Sequence, residues 1–347
     1  MYLLNIALIL LSGLVLLYNN NSQQRKLFFC IMASFQWILL SGLRDESVGA
    51  DTINYWYHYT SVENMDWQQV FNGMIKNIFV LNETEPGYIF LQKFLQIFSD
   101  DYQWFLIIVA ILFFSLLGLF IYRNSSEPVF SFLLFSCLFY SFYAITGIRQ
   151  TIATAIVVFI GFELIKKRSF IPFLLIVFLA YSIHRSAVVF IPYYFIANKK
   201  ITRRYITTMA IFGLILIVLG HNYYTQFSRF LGYDQVVSGG TTIFSILMLL
   251  ILTIAVWRQP QISKNNPNYN LAFNAMIIAT IFTIMTWQNQ GFMRVQQYYS
   301  LFIMILIPDI IKSFKAMERV LIYLFGAALL ILLFLKNDPY YIFFWQN

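Results

Sequence analysis

The sequence predicts an all-α polytopic membrane protein of about twelve transmembrane or re-entrant helices, and three observations carry that expectation. Apolar side chains make up 60% of the 347 residues and charged ones 11%, with a mean hydropathy of +0.69, far from the composition of a soluble domain. Several stretches hold roughly 17 or more mostly apolar residues, enough at about 1.5 Å per residue to cross a hydrocarbon core as helices. The bulky runs lack the strict alternation of a lipid-facing strand, which argues against a β-barrel.

The apolar segments, in chain order, are 2–18, 27–43, 103–122, 129–147, 149–165, 169–183, 186–197, 205–220, 242–257, 270–286, 295–311 and 320–335. The first has no positive region before it and no small-residue cleavage site after it, so it reads as a retained helix and not a signal peptide. Cys30 and Cys137 both fall inside apolar segments and read as small core residues. No soluble domain, repeat or low-complexity tract interrupts the chain. Residues 1–347 are expected to form one membrane domain.

The net charge of +8 is resolved by its distribution rather than by a nucleic-acid partner. If Arg25 and Lys26 lie inside, alternation puts "KKRS" (166–169), "NKKITRR" (198–204), "RQPQISK" (258–264) and "KSFKAMER" (312–319) inside as well. Both termini then face out. The scheme requires 169–197 to cross an even number of times, as two short helices or a re-entrant pair, so the chain must reverse at "HRS" (184–186). "FIPF" and "FIPY" place Pro172 and Pro192 in these short segments, where broken or tilted helices are expected.

Two extracytoplasmic loops follow from this topology. Residues 44–102 are acidic and aromatic, and contain two stretches with the look of interfacial helices, "NMDWQQVFNGMIKNIF" and "YIFLQKFLQIF". Residues 221–241 form the second loop, with His221 and Arg229 in it.

On the outer side the cations are mostly arginines: Arg44, Arg149, Arg185, Arg229 and Arg294. Arginine's fork binds phosphate or carboxylate through two parallel hydrogen bonds, so that face is suited to an anion. Arg149, Arg185 and Arg294 stand at the outer starts of segments running inward, the positive end of each helix dipole. An anion between the arginine and the free amides removes the conflict, and diphosphate is the natural candidate. The alternative is pairing with acids of the 44–102 loop or snorkelling to headgroups. Arg44 follows its helix C-terminus, where a cation is favourable in any case.

His184 stands beside Arg185 at the reversal. A neighbouring arginine would keep its imidazole neutral and able to accept a proton from a hydroxyl. A hydrogen-bonded structural role is the other reading, and the stronger one for His58 and His221. No zinc, calcium, nucleotide or DxD-type motif is present, so metal-free chemistry without a cofactor is expected. "WQNQGFMRVQQYY" (287–299) gathers amide side chains around Arg294, a lining suited to a polyhydroxylated ligand. The aromatics near the outer boundary form an interfacial belt or stack on sugar rings.

The segments "SGLRDESVGADTINYWYHY", "EPGYIFLQ", "TGIRQTIATAI", "HRSAVVFIPYY" and "RVQQYY", in this order, resemble the EpsG-like branch of the Wzy polymerases, which join repeat units of bacterial capsules, exopolysaccharides and O-antigens. The resemblance implies a GT-C-like glycosyltransferase of the bacterial cytoplasmic membrane, with its active site facing outward. Its donor and acceptor would both be undecaprenyl-diphosphate-linked oligosaccharides, and a flippase and a chain-length regulator would be further partners. By that resemblance Arg149, Arg294, His184 and Asp51 are the catalytic candidates. Arg44 and Glu85 are substrate-binding candidates on the same ground; Arg185, at a position the family does not fix, and Gln150, Gln297 and Tyr298 are substrate-binding candidates by their places beside these residues. A lipid-linked oligosaccharide flippase and a membrane glycan ligase or acyltransferase are the competing functions.

Overall fold

A computed structural model describes residues 1–17, 22–80, 85–219, 226, 242–336 and 340–346. The described residues are helical, apart from short connections and one isolated β-bridge between Arg44 and Phe343. In chain order the helices are α1 (Tyr2–Leu17), α2 (Gln23–Gly42), α3 (Thr52–Glu63), α4 (Trp67–Asn77), α5 (Pro86–Gln96), α6 (Tyr102–Asn124) and α7 (Pro128–Leu138). There follow α8 (Ile148–Lys166), α9 (Phe170–Ile183), α10 (Arg185–Ile196), α11 (Arg203–Leu219) and α12 (Thr242–Asn265). The chain continues as α13 (Tyr269–Met285), α14 (Phe292–Ser300), α15 (Ile303–Lys312) and α16 (Ala316–Leu335).

Four of these, α6, α8, α12 and α16, are long and apolar enough to cross a membrane. The apolar stretch of α8 is 78% buried within the protein against 11% for α16, so α8 runs through the centre and α16 along the rim. The protein is an integral membrane protein. A π turn (Ser141–Thr146) extends α7 and another (Ala155–Ile160) widens α8.

The basic clusters that hold Lys26, Lys166 and Arg258 lie at one end of the bundle, and Arg44, Arg149 and Arg294 lie at the other. At one end Lys26 Nζ donates to the Ser125 carbonyl (2.7 Å), Lys166 Nζ to Asn124 Oδ1 (2.9 Å), Arg258 to Ser313 and Gln259 to the Ile201 carbonyl (3.0 Å). At the other, Arg44 Nη2 donates to the Ile145 carbonyl (3.0 Å) and Gln150 Nε2 to the Arg294 carbonyl (2.7 Å). Tyr2 packs on Tyr341 (5.3 Å), whose hydroxyl donates to the Leu40 carbonyl, and Asp45 N donates to the Ile342 carbonyl (3.1 Å). Both described chain ends therefore lie at the arginine end, with residues 44–102.

Helices α9 and α10 form an antiparallel hairpin with His184 at its apex. Phe170 packs on Tyr194 (4.9 Å) and Phe195 (5.7 Å) at the base. Fourteen residues of α9 rise about 21 Å. The six 3-10 residues Arg185–Phe190 and six α residues Ile191–Ile196 of α10 also rise about 21 Å. Each arm is thus shorter than the roughly 30 Å of a hydrocarbon core. Pro172 does not break α9, because it sits in the first turn, where no amide donor is needed. Pro192 lies just after the change from 3-10 to α geometry.

Residues 44–102 hold three helices where two were expected. The missed one, α3, reads "TINYWYHYTSVE", whose aromatic and β-branched residues favour strands. Packing overrides propensity here: Tyr59 and Val62 are buried, Gln96 Nε2 donates to the Tyr59 carbonyl (2.8 Å), and Tyr59 donates to the Ser99 carbonyl (3.0 Å). Helices α4 and α5 pack through a run of rings, Trp67, Phe71, Phe90, Phe94 and Phe98, at 5.8 to 6.4 Å.

Asn274 on α13 closes the hairpin base. Its Nδ2 lies 3.0, 2.9 and 2.9 Å from the carbonyls of Ile196, Ala197 and Lys199, orphan acceptors at the end of α10. Asn274→Leu strands these acceptors in an apolar setting, at about 1–3 kcal/mol for a buried unsatisfied group. Its thermal midpoint in detergent should fall below wild type, and an unchanged midpoint would show that the hairpin base does not need this tie.

Candidate active site

Glu85 precedes Pro86 and is held extended (φ −61°, ψ 121°), as the residue before a proline must be. Pro86 opens α5 at its first position, where a missing amide donor is harmless. The Glu85 side chain does not cap its own helix. It reaches across to α8 and to the hairpin apex instead. Its Oε2 lies 2.5 Å from Arg149 Nη1 and its Oε1 accepts at 3.0 Å from His184 Nδ1.

Glu85 and His184 are 6% and 7% exposed, so neither could hold a charge without a partner. Burial alone would raise the Glu85 carboxyl, but the His184 hydrogen bond, the charge His184 carries when it is protonated, and the Arg149 guanidinium outweigh it and hold the group well below the usual carboxylate range. Burial pushes His184 below its ordinary value; Glu85 pulls it back, and Arg149 and Arg294 push it down again. The consistent state is an ionised Glu85 and a neutral His184 that donates through Nδ1, which makes Nε2 the acceptor nitrogen.

Arg149 is the second residue of α8, at its positive end. Its counter-charge is Glu85, so the loop-acid alternative is the one realised for this arginine. Its guanidinium also lies over Tyr55 (5.7 Å) and Tyr88 (6.0 Å), with the side chain 33% exposed. Arg294, in the first turn of α14, lies over the Phe142 ring at 4.9 Å. That ring is admitted by Gly147, where a β-carbon would come within 2.6 Å of Phe142 Cε2. In "TGIRQ", glycine thus serves one arginine by seating the ring beneath it, while the next residues supply the other arginine and the glutamine that holds the Arg294 backbone.

The remaining candidates surround this contact or stand apart from it. The Gln297 carbonyl accepts from Tyr143 (2.7 Å), and Tyr298 shares a 2.9 Å hydrogen bond with Ser186 of the apex turn. The Oε1 atoms of Gln150 and Gln297 are buried without a hydrogen-bond partner among the described residues. Arg185 is buried and donates to the Val80 carbonyl, which fastens the segment after α4 to the apex. Arg44 is also buried, donating to the Ser41 and Ile145 carbonyls, a brace between the end of α2 and the π turn. Asp51 immediately precedes α3, half-buried, without a side-chain cap bond. The loop 221–241, with His221 and Arg229, lies outside the described residues except for 226.

Sequence reasoning missed Tyr55, Tyr88, Phe142 and Gly147 as site residues. His58, expected to be a hydrogen-bonded structural residue, has its Nδ1 2.8 Å from Gln92 Oε1 and its ring packed on Tyr88 at 5.6 Å. Burial pushes His58 down as well.

These directions fix a pH dependence. Glu85 titrates below the roughly 4.3 of a free glutamate, so its contribution to stability is complete above that value and lost only as pH falls through the lower folded one. His184 titrates below the roughly 6.5 of free histidine, so the unfolded chain gains its proton first and stability declines as pH falls below that value. The thermal midpoint should therefore drop between pH 7.5 and 5.5. His184→Asn should flatten part of the drop, with His58 carrying another part, and an unaltered slope would mean that His184 is not held neutral.

The family model of the EpsG family matches residues 26–344. No curated protein and no solved structure matches the chain. The match includes Glu85, Arg149 and His184 and covers nearly the whole sequence, and the chain belongs to the EpsG family.

Proposed function

We propose that this protein is an inverting, metal-independent glycosyltransferase that polymerises undecaprenyl-diphosphate-linked repeat units at the outer face of the bacterial cytoplasmic membrane. Membership of the EpsG family supports a polysaccharide polymerase role in exopolysaccharide synthesis. The observation that carries the chemistry is Glu85 bridging Arg149 and His184. One carboxylate steadies a phosphate-binding cation and orients a neutral imidazole.

In the proposed reaction the acceptor hydroxyl oxygen bonds to the donor's anomeric carbon as the bond from that carbon to the diphosphate oxygen breaks. Attack opposite the leaving group inverts the centre. The hydroxyl proton passes to His184 Nε2, and the resulting imidazolium is stabilised by Glu85. The bond's electrons leave with the lipid diphosphate, whose growing charge is taken up by Arg149 and Arg294. Asp51 is the second candidate for acceptor orientation. Gln150 and Gln297 present buried acceptors suited to sugar hydroxyls. The outward assignment rests on lysine-rich loops facing the cytoplasm, and a GT-C-like arrangement with α4 and α5 in the outer interface belongs to the same proposal.

Purified protein in vesicles, given lipid-linked repeat units, tests the reading. Lengthened glycan on the lipid is expected. Movement across the bilayer without lengthening would indicate a flippase, and transfer to a different acceptor a ligase. Arg149→Lys keeps the charge but loses the fork. A fall in rate of about 10²-fold is expected, the scale of one lost oxyanion donor, and a wild-type rate would rule out bidentate diphosphate binding.

A further inference from the structure

Helix α5 crosses α9 at Gly87 with no side chain of its own in between. A β-carbon on Gly87 would lie 2.7 Å from both the carbonyl carbon and Cβ of Ser182, and nearer still to the Ser182 hydroxyl. The glycine is not needed for its backbone conformation, since among the described glycines only Gly49 has a positive φ. It stands in the first turn of a helix, where glycine weakens helical order. Close approach is the one property alanine could not supply.

The crossing has a particular place in the chain. Gly87 follows Glu85 by two residues, and Ser182 precedes His184 by two. The point where the two helices touch is therefore the fulcrum for the carboxylate on one and the imidazole on the other. From this geometry we infer that Gly87 is a positioning residue: the contact between Gly87 and Ser182 sets the separation of Glu85 and His184. The inference rests on the reading of His184 as the group that receives the acceptor proton, and it names the residue that orients it.

Restoring a 2.7 Å approach to an ordinary 3.4 Å contact needs about 0.7 Å of separation. Falling on the 3.0 Å hydrogen bond, that shift lengthens it to about 3.7 Å, where it is no longer a hydrogen bond. Arg149 has a long, partly exposed side chain and can follow Glu85, whereas His184 is fixed at the end of α9. The orientation of the imidazole is lost before the ion pair is.

Histidine labelled with ¹⁵N reads this directly, because the chain has only three histidines and His184→Asn identifies the signal of interest. In the wild type His184 should be protonated at Nδ1, with the downfield proton of a bond to carboxylate. Gly87→Ala should lose that proton and mix the tautomers, while Gly73→Ala, with open space around it, should change nothing. Ser182→Gly in the Gly87→Ala background removes two of the three nearest atoms and should restore part of the signal. Should Gly87→Ala fail to fold, Ser182→Thr crowds the crossing from the other side and should give the same loss. A wild-type Nδ1 signal in the crowded variant that folds overturns the inference.

In the polymerisation assay Gly87→Ala should lower kcat about tenfold or more, shift the pH profile and leave KM for the lipid-linked unit within about twofold. These rates decide only whether the orientation serves polymerisation. The imidazole signal needs no substrate, so an inactive wild type with the expected shifts would overturn the proposed function and leave the positioning role of Gly87 standing.

Discussion

The arrangement depends on one constraint: a carboxylate buried at the arginine end must have its charge answered on both oxygens. Glu85 meets it with Arg149 on one side and His184 on the other. Removing one partner of such a group costs far more than the pair contributes, because the other charge is left uncompensated. Three elements distant in sequence are thereby held to one point: the start of α5, the start of α8 and the apex between α9 and α10. A buried charge of this kind is expensive in an apolar protein, and on the proposed reading it serves the chemistry.

The second constraint is the sorting of charge along the bundle. Lysines and several arginines, Arg258 among them, gather at the end where α2 begins and α8 finishes, and there they bind carbonyls, amides and hydroxyls of neighbouring connections. At the opposite end arginines lie over aromatic rings or bind carbonyls. The short hairpin respects this division. Its base belongs to the lysine end, and its apex carries the histidine and arginine toward the other, where α5 descends to meet it. Neither arm spans a full hydrocarbon core, so on a membrane reading the apex is recessed and the carboxylate is brought to it by the loop.

Most of the helices and the reversal at His184 were legible because hydropathy and charge parity are local or cumulative along the chain, whereas the segment read as one span over 295–311 is two helices, α14 and α15. Hydropathy and parity survive without knowledge of contacts. The partner of each site residue was not legible, since Glu85 meets Arg149 across 64 positions and His184 across 99, and no periodic signal records such a pairing. The same holds for Phe142, which reads as one more apolar ring until Arg294 is found over it. Helix α3 was missed because its own residues favour a strand and only packing makes it helical. Arg44, picked out by its neighbours in the motif, is a brace in the fold, and a guanidinium in a motif looks the same in either role.

On the proposed reading, the resting ion pair also shapes the charge of the reaction. Glu85 neutralises Arg149 beside a neutral His184, and a diphosphate esterified at both ends carries two negative charges. When the acceptor attacks, the departing lipid diphosphate gains a third negative charge while His184 gains a proton, so site and leaving group change together. Without Glu85 the site would hold an excess cation at rest, bind the diphosphate substrate more tightly and release the product more slowly. With Glu85 the added attraction arises as the bond breaks, when binding energy accelerates the chemical step instead of deepening the ground state. The carboxylate that orients the histidine thus also keeps the arginines from holding the substrate too well.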